Sequence, residues 1–369
     1  MSTYAGTLFV AVALIFLAGC STTPKTGSGG ASPDNWSAKT VENKLFAHAN
    51  PPPPGSLSPG SHTNPPAAKT NVVLATPLLT WTSLNRWAYE QKIEAPRRIS
   101  ISPVTSYAVA TTNGVLVLTI GTRDATWRGT TFHLGFAPEF IDSQIFVHGL
   151  DLEKNIAPLL RGTSSFFNLK GVIVIDPGHG GINAGTLSVL DNRPEKEFTL
   201  DWARRLQRLL EAEGWHVFLT RTNDYDEALS NRVSFAESHH ADLFISLHFN
   251  SSAPDKRQIG LETYCLTPTG TPSTLTRGYP DVLTDHFPNN DYDVRNLQLA
   301  MRVHKAVLRA SEEEDRGVRR ARFLGVLRGQ KRPAILIEGG YLSNPHEAEK
   351  IENPDFRQAL AEGVANALK

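Results

Sequence analysis

Three short apolar runs of this sequence each end in a side chain that can bind a metal ion or transfer a proton. The side chains are His179, His248 and Glu338. The run before His179 is β-branched over residues 172–175, as expected for a strand that is covered on both faces. An Asp-Pro-Gly sequence interrupts this run, so His179 is expected at the carboxyl end of the strand. Ligands of open α/β sheets bind beyond such strand ends, and we therefore expect the three side chains on one rim of one sheet.

Glu195 joins this set from the first turn of a predicted helix. Apolar residues recur with a period close to 3.6 from Leu200 to Leu210, which indicates a helix that begins near Pro194. Each candidate alone has a simpler explanation: a histidine at a strand end is more often structural, Glu195 would complement a helix dipole, and Glu338 could pair with a buried cation. The four residues together favour a metal site.

The donor set matches a catalytic zinc site, which uses three protein ligands and leaves one coordination position for water. The predicted ligands of Zn²⁺ are His179, Glu195 and His248. The ion lowers the pKa of bound water from roughly 15.7 to about 7. Glu338 would then take the water proton and later give a proton to the leaving nitrogen. Asn250, which follows closely after His248, could orient the substrate or could cap a loop, and both roles stay open.

From about residue 170 to residue 369 the chain resembles the zinc-dependent N-acetylmuramoyl-L-alanine amidases of bacteria. The resemblance rests on blocks that occur in the family's order, among them IDPGHGG at 175–181, EKE at 195–197, ADLFISLH at 241–248 and PAILIEGGYLSN at 333–344. Shorter matching blocks lie at 217–221, 232–233, 260–262 and 316–318.

The resemblance implies both the substrate and the roles of the site residues. The substrate is peptidoglycan, cleaved at the amide that joins N-acetylmuramic acid to L-alanine. The family's zinc ligands fall on His179, Glu195 and His248, and its catalytic glutamate falls on Glu338. Asn183 stands where the family usually has an aspartate, so substrate contacts or hydrogen bonds made from that position are expected to differ.

Two other functions are alternatives to the amidase. One is a zinc carboxypeptidase that acts on stem peptides. One such family has a glutamate three residues after its first histidine, where this chain has Ile182, which disfavours that function. The other is a non-catalytic peptidoglycan-binding lipoprotein that has kept the fold, which the four retained site residues disfavour. The sequence does not identify a protein activator.

The segment 170–369 is predicted to be an α/β catalytic domain. We expect a mostly parallel or mixed sheet of about six strands with helices on both faces, in an order that the sequence does not determine. The strands are predicted at 171–176, 216–220, 242–248, 259–266, 322–327 and 333–338, and the helices near 195–212, 226–239, 296–311 and 355–368. The Pro- and Gly-containing stretch 267–295 is expected to form a loop that walls the substrate groove, with an inert surface loop as the alternative.

Residues 71–169 are predicted to form a small β-rich domain, either a stalk or a wall-binding module. Asn113-Gly114 between two apolar runs is a strong hairpin signal, and Arg128-Gly129 is a weaker one. The segment resembles, faintly, a domain that some amidases of the family carry ahead of their catalytic part.

The amino-terminal residues predict export and a lipid anchor. The apolar stretch 8–18 is shorter than the about 20 residues of a membrane-spanning helix, and it ends in Leu-Ala-Gly-Cys. Residues 1–19 therefore resemble a lipoprotein signal peptide, with Cys20 as the lipidated residue. Ser21 after the cysteine indicates the outer membrane, facing the periplasm. The Pro-, Gly- and Ser-rich stretch 20–70 is expected to be an unfolded tether.

The charge of the chain argues against a nucleic-acid partner. It has 37 basic and 37 acidic residues, for a formal net charge of +0, and no basic block. Its two cysteines, Cys20 and Cys265, fit no zinc-finger spacing.

Overall fold

The structure is a computed structural model that describes residues 81–162, 170–275 and 280–369. The predicted signal peptide 1–19, the lipidation site Cys20 and the tether 20–70 lie outside the described residues. Within the described part of the chain, none of the helices combines the length and the apolarity of a transmembrane span.

The strands fall into one large and one small sheet. Their bounds are β1 Trp81–Ser83, β2 Arg97–Ser100, β3 Ser106–Thr111, β4 Gly114–Thr119, β5 Asp124–Trp127, β6 Thr130–His133, β7 Glu139–Ile141, β8 Gln144–His148, β9 Val172–Pro177, β10 His216–Leu219, β11 Leu243–Asn250, β12 Leu261–Cys265, β13 Asp315–Arg320 and β14 Ala334–Tyr341. Among the described residues, the large sheet has 11 strands in the order β10-β9-β11-β14-β12-β13-β6-β5-β4-β3-β2, and the small one has the order β1-β8-β7.

The helices precede, separate and follow these strands. They are α1 Leu84–Glu90, α2 Gly149–Asp151, α3 Ala157–Leu160, α4 Glu195–Ala212, α5 Leu229–Ser238, α6 Asp293–Ser311, α7 Gly325–Arg328, α8 Pro345–Glu352 and α9 Pro354–Ala367. A π-helical segment, Leu152–Ile156, joins α2 to α3, and a 3₁₀ helix, Pro288–Tyr292, precedes α6.

Strand direction determines which side chains meet at one rim. Strands β9, β10, β11 and β14 are parallel, whereas β12 is antiparallel to β14 and parallel to β13. We call the upper rim the edge formed by the carboxyl ends of β9, β11 and β14 and the amino ends of β12 and β13. The predicted α/β class, with a mixed sheet that takes six strands from residues 170–369, is confirmed.

One predicted strand is wrong. Residues 322–327 do not form a strand, since Gly325–Arg328 is the short helix α7 and the strand in this region is Asp315–Arg320. The observed strand reads DRGVRR, which has no apolar period. Two of its arginines, Arg316 and Arg319, form ion pairs with Glu262 of the neighbouring strand β12. The helix Pro345–Glu352 was not predicted.

The described residues of the long stretch after β12 do not wall the upper rim. Because β12 is antiparallel to β14, residues that follow Cys265 leave the sheet at the opposite edge. Backbone carbonyls of this stretch are bound there, since Asn290 Nδ2 donates to Thr267 O at 2.9 Å and Arg322 Nη2 donates to Pro268 O at 2.8 Å. The expectation that 267–295 lines the substrate groove is therefore corrected.

The amino-terminal strands continue the large sheet. Strands β2 to β6 form an antiparallel meander that contains both predicted hairpins, and β6 pairs in parallel with β13 through Phe132 and Val318. Thr131 N also donates to Asp315 Oδ2 at 2.8 Å. Phe132 lies in the same hydrophobic core as Ile175 of β9. The division of the chain into domains at 71–169 and 170–369 stays a prediction.

Two apolar clusters cover the two faces of the sheet. One face packs Trp202 of α4 and Leu360 of α9 against Ile175, and this core extends under the amino-terminal strands. The other face packs α5 and α7 against Phe244 and Leu336, and it ends at β12. The helices of this second face therefore cover the sheet from β9 to β12 in strand order.

A buried ion pair fixes the end of β9 just before the upper rim. Asp176 Oδ1 accepts hydrogen bonds from Arg232 Nη1 at 2.6 Å and from Thr220 Oγ1 at 2.5 Å, and its Oδ2 accepts from Ser246 Oγ at 2.7 Å. Burial opposes ionisation of this carboxyl, but the Arg232 charge and the two hydroxyl hydrogen bonds hold its pKa below the ordinary value of 3.8. Asp176 therefore connects β9 to β10, β11 and α5.

We expect Asp176→Asn to lower the free energy of unfolding by about 3–5 kcal/mol, because it leaves the Arg232 guanidinium buried without its anion. Urea unfolding at neutral pH measures this loss. The control, Glu90→Gln in the exposed Arg86–Glu90 pair, should cost under about 0.5 kcal/mol. Since the folded pKa of Asp176 is lowered, its contribution is present above pH 3.8 and is lost as the pH falls further. Equal losses in both variants would contradict this account.

Candidate metal centre

The structure brings the three predicted ligands together at the upper rim. Donor atoms of His179, Glu195 and His248 all lie within 4.8 Å of one another. Glu195 lies between the two imidazoles, with Oε2 at 3.0 Å from His179 Nε2 and Oε1 at 3.0 Å from His248 Nδ1. The side chains of His179 and Glu195 are 1% and 2% exposed, and that of His248 is 12% exposed, so the cluster opens to solvent mainly beside His248.

The backbone around His179 is shaped to admit the other two residues. His179 itself has φ 62, in the left-handed region that non-glycine residues seldom adopt. A Cβ at Gly178 would lie 2.3 Å from His248 Cε1, and a Cβ at Gly185 would lie 2.5 Å from Glu195 Oε2. The two glycines are therefore required by the closeness of the metal-binding side chains.

Two buried arginines hold this turn by its carbonyl groups. Arg221 donates from Nε to Pro177 O at 3.0 Å and from Nη2 to Gly178 O at 2.8 Å, and Arg232 Nη2 donates to His179 O at 2.7 Å. Burial lowers the pKa of Arg221 to about 10, so its guanidinium stays charged at neutral pH. Arg232 also forms an ion pair with Asp176, whereas Arg221 mainly binds backbone oxygens.

Further contacts orient the donor atoms. Asn183 Oδ1 lies 2.9 Å from His179 Nδ1, which can donate to it. Glu195 accepts backbone hydrogen bonds from Thr186 N and Phe249 N, both at 3.0 Å. His179 Nε2 is buried and has no hydrogen-bond partner among the described residues. A ring nitrogen with its lone pair free, next to a fixed carboxylate, is a donor set that suits a zinc ion.

The protonation states also suit a cation. Burial would raise the pKa of Glu195, but the interactions with His179 and His248 outweigh it and lower that pKa, so the carboxyl is ionised. Burial lowers the pKa of His248 more than the adjacent Glu195 raises it, so that imidazole is neutral at pH 7. A carboxylate and a neutral imidazole are the forms that bind metals.

Glu338 lies beside this cluster without a hydrogen bond to it. It is in register with His248 on β11 and with Glu262 on β12. Its Oε2 is buried, and no residue in the described ranges forms a hydrogen bond with it. Burial, together with the negative charges of Glu195 and Glu262, raises its pKa well above the ordinary value of 4.5. An unpartnered carboxyl with a raised pKa is a proton donor and acceptor at neutral pH.

Asn250 is half-buried and forms hydrogen bonds within the protein. Its Nδ2 donates to Glu262 Oε2 at 3.0 Å, and its Oδ1 accepts from Ser251 N at 2.8 Å. A role in substrate binding stays a prediction.

Glu262, to which the sequence assigned no role, also accepts from Arg316 Nε at 2.8 Å and from Tyr264 Oη at 2.6 Å. Only its place in the Gly-Leu-Glu block could have singled it out.

A family model described as N-acetylmuramoyl-L-alanine amidase matches residues 173–369. This chain belongs to that amidase family. It is 33% identical over 198 residues to the N-acetylmuramoyl-L-alanine amidase CwlM of Bacillus licheniformis, across 53% of this chain and 66% of that protein. It is 32% identical over 246 residues to the amidase AmiC of Escherichia coli, across 59% of this chain and 58% of that protein.

A solved N-acetylmuramoyl-L-alanine amidase from Clostridium difficile is 31% identical, over 54% of this chain and 94% of that one, with a TM-score of 0.45. The chain spans about two-thirds or less of the length of the two curated amidases named above. Membership of the family therefore concerns the segment from β9 to the end of the chain.

We expect Asn183→Ala to weaken Zn²⁺ binding about 10–100-fold, because His179 loses the acceptor that fixes its ring. Titration of the metal-free protein with Zn²⁺ in a calorimeter gives the affinity. Asn183→Asp keeps an acceptor oxygen and should bind at least as tightly as the wild type, and Asn231→Ala on the exposed surface of α5 is the control. Wild-type affinity in Asn183→Ala would show that this contact does not orient the ligand.

Proposed function

We propose that this protein hydrolyses peptidoglycan at the amide between N-acetylmuramic acid and the L-alanine of the stem peptide, with one Zn²⁺ ion held by His179, Glu195 and His248. The observation that carries the proposal is the buried His–Glu–His cluster with an unpartnered carboxyl, Glu338, in register beside it. Membership of the amidase family supports the same bond and the same substrate.

The donor set of the cluster supports zinc as the ion. Two imidazoles and one carboxylate are three protein ligands, which leaves a position open for the reaction. When bound, zinc supplies a Lewis acid that polarises a carbonyl oxygen and acidifies water. The backbone N–H groups of Thr186 and Phe249 keep the Glu195 carboxylate in place throughout.

Glu338 performs the proton transfers in this mechanism. As a carboxylate it removes a proton from the attacking water, and as an acid it gives a proton to the amide nitrogen when the carbon–nitrogen bond breaks. The leaving nitrogen needs this proton because an amide anion is a very poor leaving group. General acid–base catalysis of this kind contributes about 10²–10⁴-fold to the rate. Asn250, held by Glu262, is proposed to contact the substrate at the same rim.

We propose that the enzyme works in the bacterial cell envelope. Residues 1–19 would be removed as a signal peptide, and Cys20 would carry lipid that anchors the protein in the outer membrane, facing the periplasm. The tether 20–70 would then let the folded part reach the wall polymer. As a flexible coil, its 50 residues after Cys20 would span roughly 40 Å, and its prolines would extend it.

Digestion of purified peptidoglycan tests the activity. We expect the zinc-loaded wild type to release stem peptides whose free amino terminus is L-alanine, as identified by mass spectrometry and end-group labelling. Glu338→Gln, which keeps the side-chain volume, should bind zinc normally and lose about 10²–10⁴-fold in rate. His248→Ala should lose zinc by elemental analysis. Release of D-alanine would instead indicate a carboxypeptidase, and binding of the wall without any release would indicate a non-catalytic binder.

Cys20→Ala tests the anchor. Because the modified thiol would be absent, we expect this variant to incorporate no labelled fatty acid when it is expressed in bacteria. It should also leave the outer-membrane fraction on centrifugation. Cys265→Ala is the matched control, since Cys265 is buried in the fold and should not be lipidated. A lipid label that persists in Cys20→Ala would disprove the anchor.

A further inference from the structure

A cleft lies on the large sheet beyond the metal centre. It has a volume of about 370 Å³ and is lined by residues of β4, β5, β6 and β13, and none of the three proposed metal ligands lines it. The helices α5 and α7 cover this face of the sheet only as far as β12. The cleft is therefore formed by β13 together with strands that the amino-terminal region adds to the sheet.

The register of the strands places the cleft on the same face as Glu338. Glu338 is opposite Glu262 on β12, and Tyr264, two residues further along β12, is opposite Arg319 on β13. Side chains two residues apart in a strand share a face. On the neighbouring strand β6, Phe132 points into the core, so His133 points to the face of Arg319, and both line the cleft.

The distance along this face suits a short extended peptide. Four strand spacings separate Glu338 on β14 from Thr126 on β5, which is roughly 19 Å at about 4.8 Å per spacing. An extended peptide of five residues spans roughly 17 Å. A peptide that leaves the upper rim beside Glu338 and runs across the strands would therefore reach the cleft.

Three acidic residues line the cleft; Glu314 is exposed to solvent, whereas Asp124 and Asp315 are already bound within the protein. Asp315 Oδ1 accepts from Gly317 N at 2.9 Å and lies 2.9 Å from His304 Nε2, and its Oδ2 accepts from Thr131 N at 2.8 Å. Asp124 Oδ1 lies 2.8 Å from His133 Nδ1. These contacts reduce the ability of the two carboxylates to attract a cationic ligand.

The basic groups of the cleft retain donors. Arg316 and Arg319 both reach the buried Glu262 Oε1 through Nε, at 2.8 Å and 3.0 Å. Each guanidinium has five N–H donors, so one contact through Nε leaves others for a ligand. Two guanidinium groups side by side favour an anionic group, and a carboxylate matches their planar donors.

We propose that this cleft binds the stem peptide of peptidoglycan, with the free carboxylates of the peptide on Arg316 and Arg319. The inference rests on the proposed amidase function and adds to it a subsite that the amino-terminal strands complete. In this arrangement β5 and β6 form the far wall of the substrate site, and Glu262 connects the subsite to the rim, because it is in register with Glu338 and binds both arginines.

A tyrosine placed in the cleft tests the subsite. Thr126 lines the cleft from β5, whereas Val115 on β4 is 44% exposed, shares its face and lies outside the cleft lining. Tyrosine is well tolerated in strands, so Thr126→Tyr and Val115→Tyr should both fold, which thermal unfolding checks. The substrates are an N-acetylmuramoyl pentapeptide and N-acetylmuramoyl-L-alanine amide.

We expect Thr126→Tyr to raise the ratio of the KM for the pentapeptide to the KM for the short substrate about tenfold, which is the effect of losing one hydrogen bond to a charged group. Val115→Tyr should leave that ratio at the wild-type value. An unchanged ratio in Thr126→Tyr, or equal changes in both variants, would overturn the inference.

A binding measurement separates this inference from the proposed activity. If the wild type hydrolyses neither substrate, the amidase function fails, and calorimetry with the free stem peptide still tests the cleft. Binding of the peptide to the wild type and to Val115→Tyr, with about tenfold weaker binding to Thr126→Tyr, would support the subsite. Absence of binding to the wild type, or binding only of a peptide-free glycan chain, would overturn it.

Discussion

The carboxylate of Glu195, buried between two imidazoles, is the constraint to which the rest of the site is adapted. A buried negative charge is unfavourable unless it is hydrogen-bonded and faces positive charge. Two backbone N–H groups donate to this carboxylate, and a ring nitrogen of each imidazole lies 3.0 Å from one of its oxygens. Within the described part of the chain, His179 Nε2 and Glu338 Oε2 have no hydrogen-bond partner, and a bound cation would supply the positive charge that Glu195 lacks.

The geometry that brings these groups together depends on three neighbouring parallel strands, β9, β11 and β14, whose carboxyl ends lie at the upper rim. The Asp176 network fixes the end of β9 against β10 and β11, and Arg221 and Arg232 bind the carbonyls of the following turn. The strained φ of His179 persists because these arginines and the glycines on either side over-determine the turn. The position of the metal-binding side chains therefore depends on hydrogen bonds and an ion pair contributed by several elements.

The reversal of direction between β14 and β12 brings further side chains to the same rim. It places Glu262 and the start of β13 next to Glu338, although they lie far apart along the chain. It also sends residues 267–275 and 280–287 to the opposite edge, away from the metal centre. Because β13 continues into β6, the amino-terminal strands share both the sheet and the core of the amidase segment.

The sequence by itself determined the local elements of the metal centre. The β-branched run before His179, the helical period after Glu195 and the run before His248 were sufficient, because strands and helices of this kind are specified by their own apolar pattern. It also determined the α/β class and the six-strand count from residue 170 onward. It misplaced β13, because that strand has no apolar pattern and two of its arginines form ion pairs with Glu262.

Only the tertiary structure decided what lies beside these elements. Strand order, the antiparallel direction of β12 and the junction of β6 with β13 depend on contacts between distant residues, which local patterns do not encode. The partners of Asn183, Asn250 and Glu262 followed from that order, and so did the edge at which the stretch after β12 leaves the sheet. The physical reason is that a residue's type restricts which groups it can bind, whereas its partner depends on the topology.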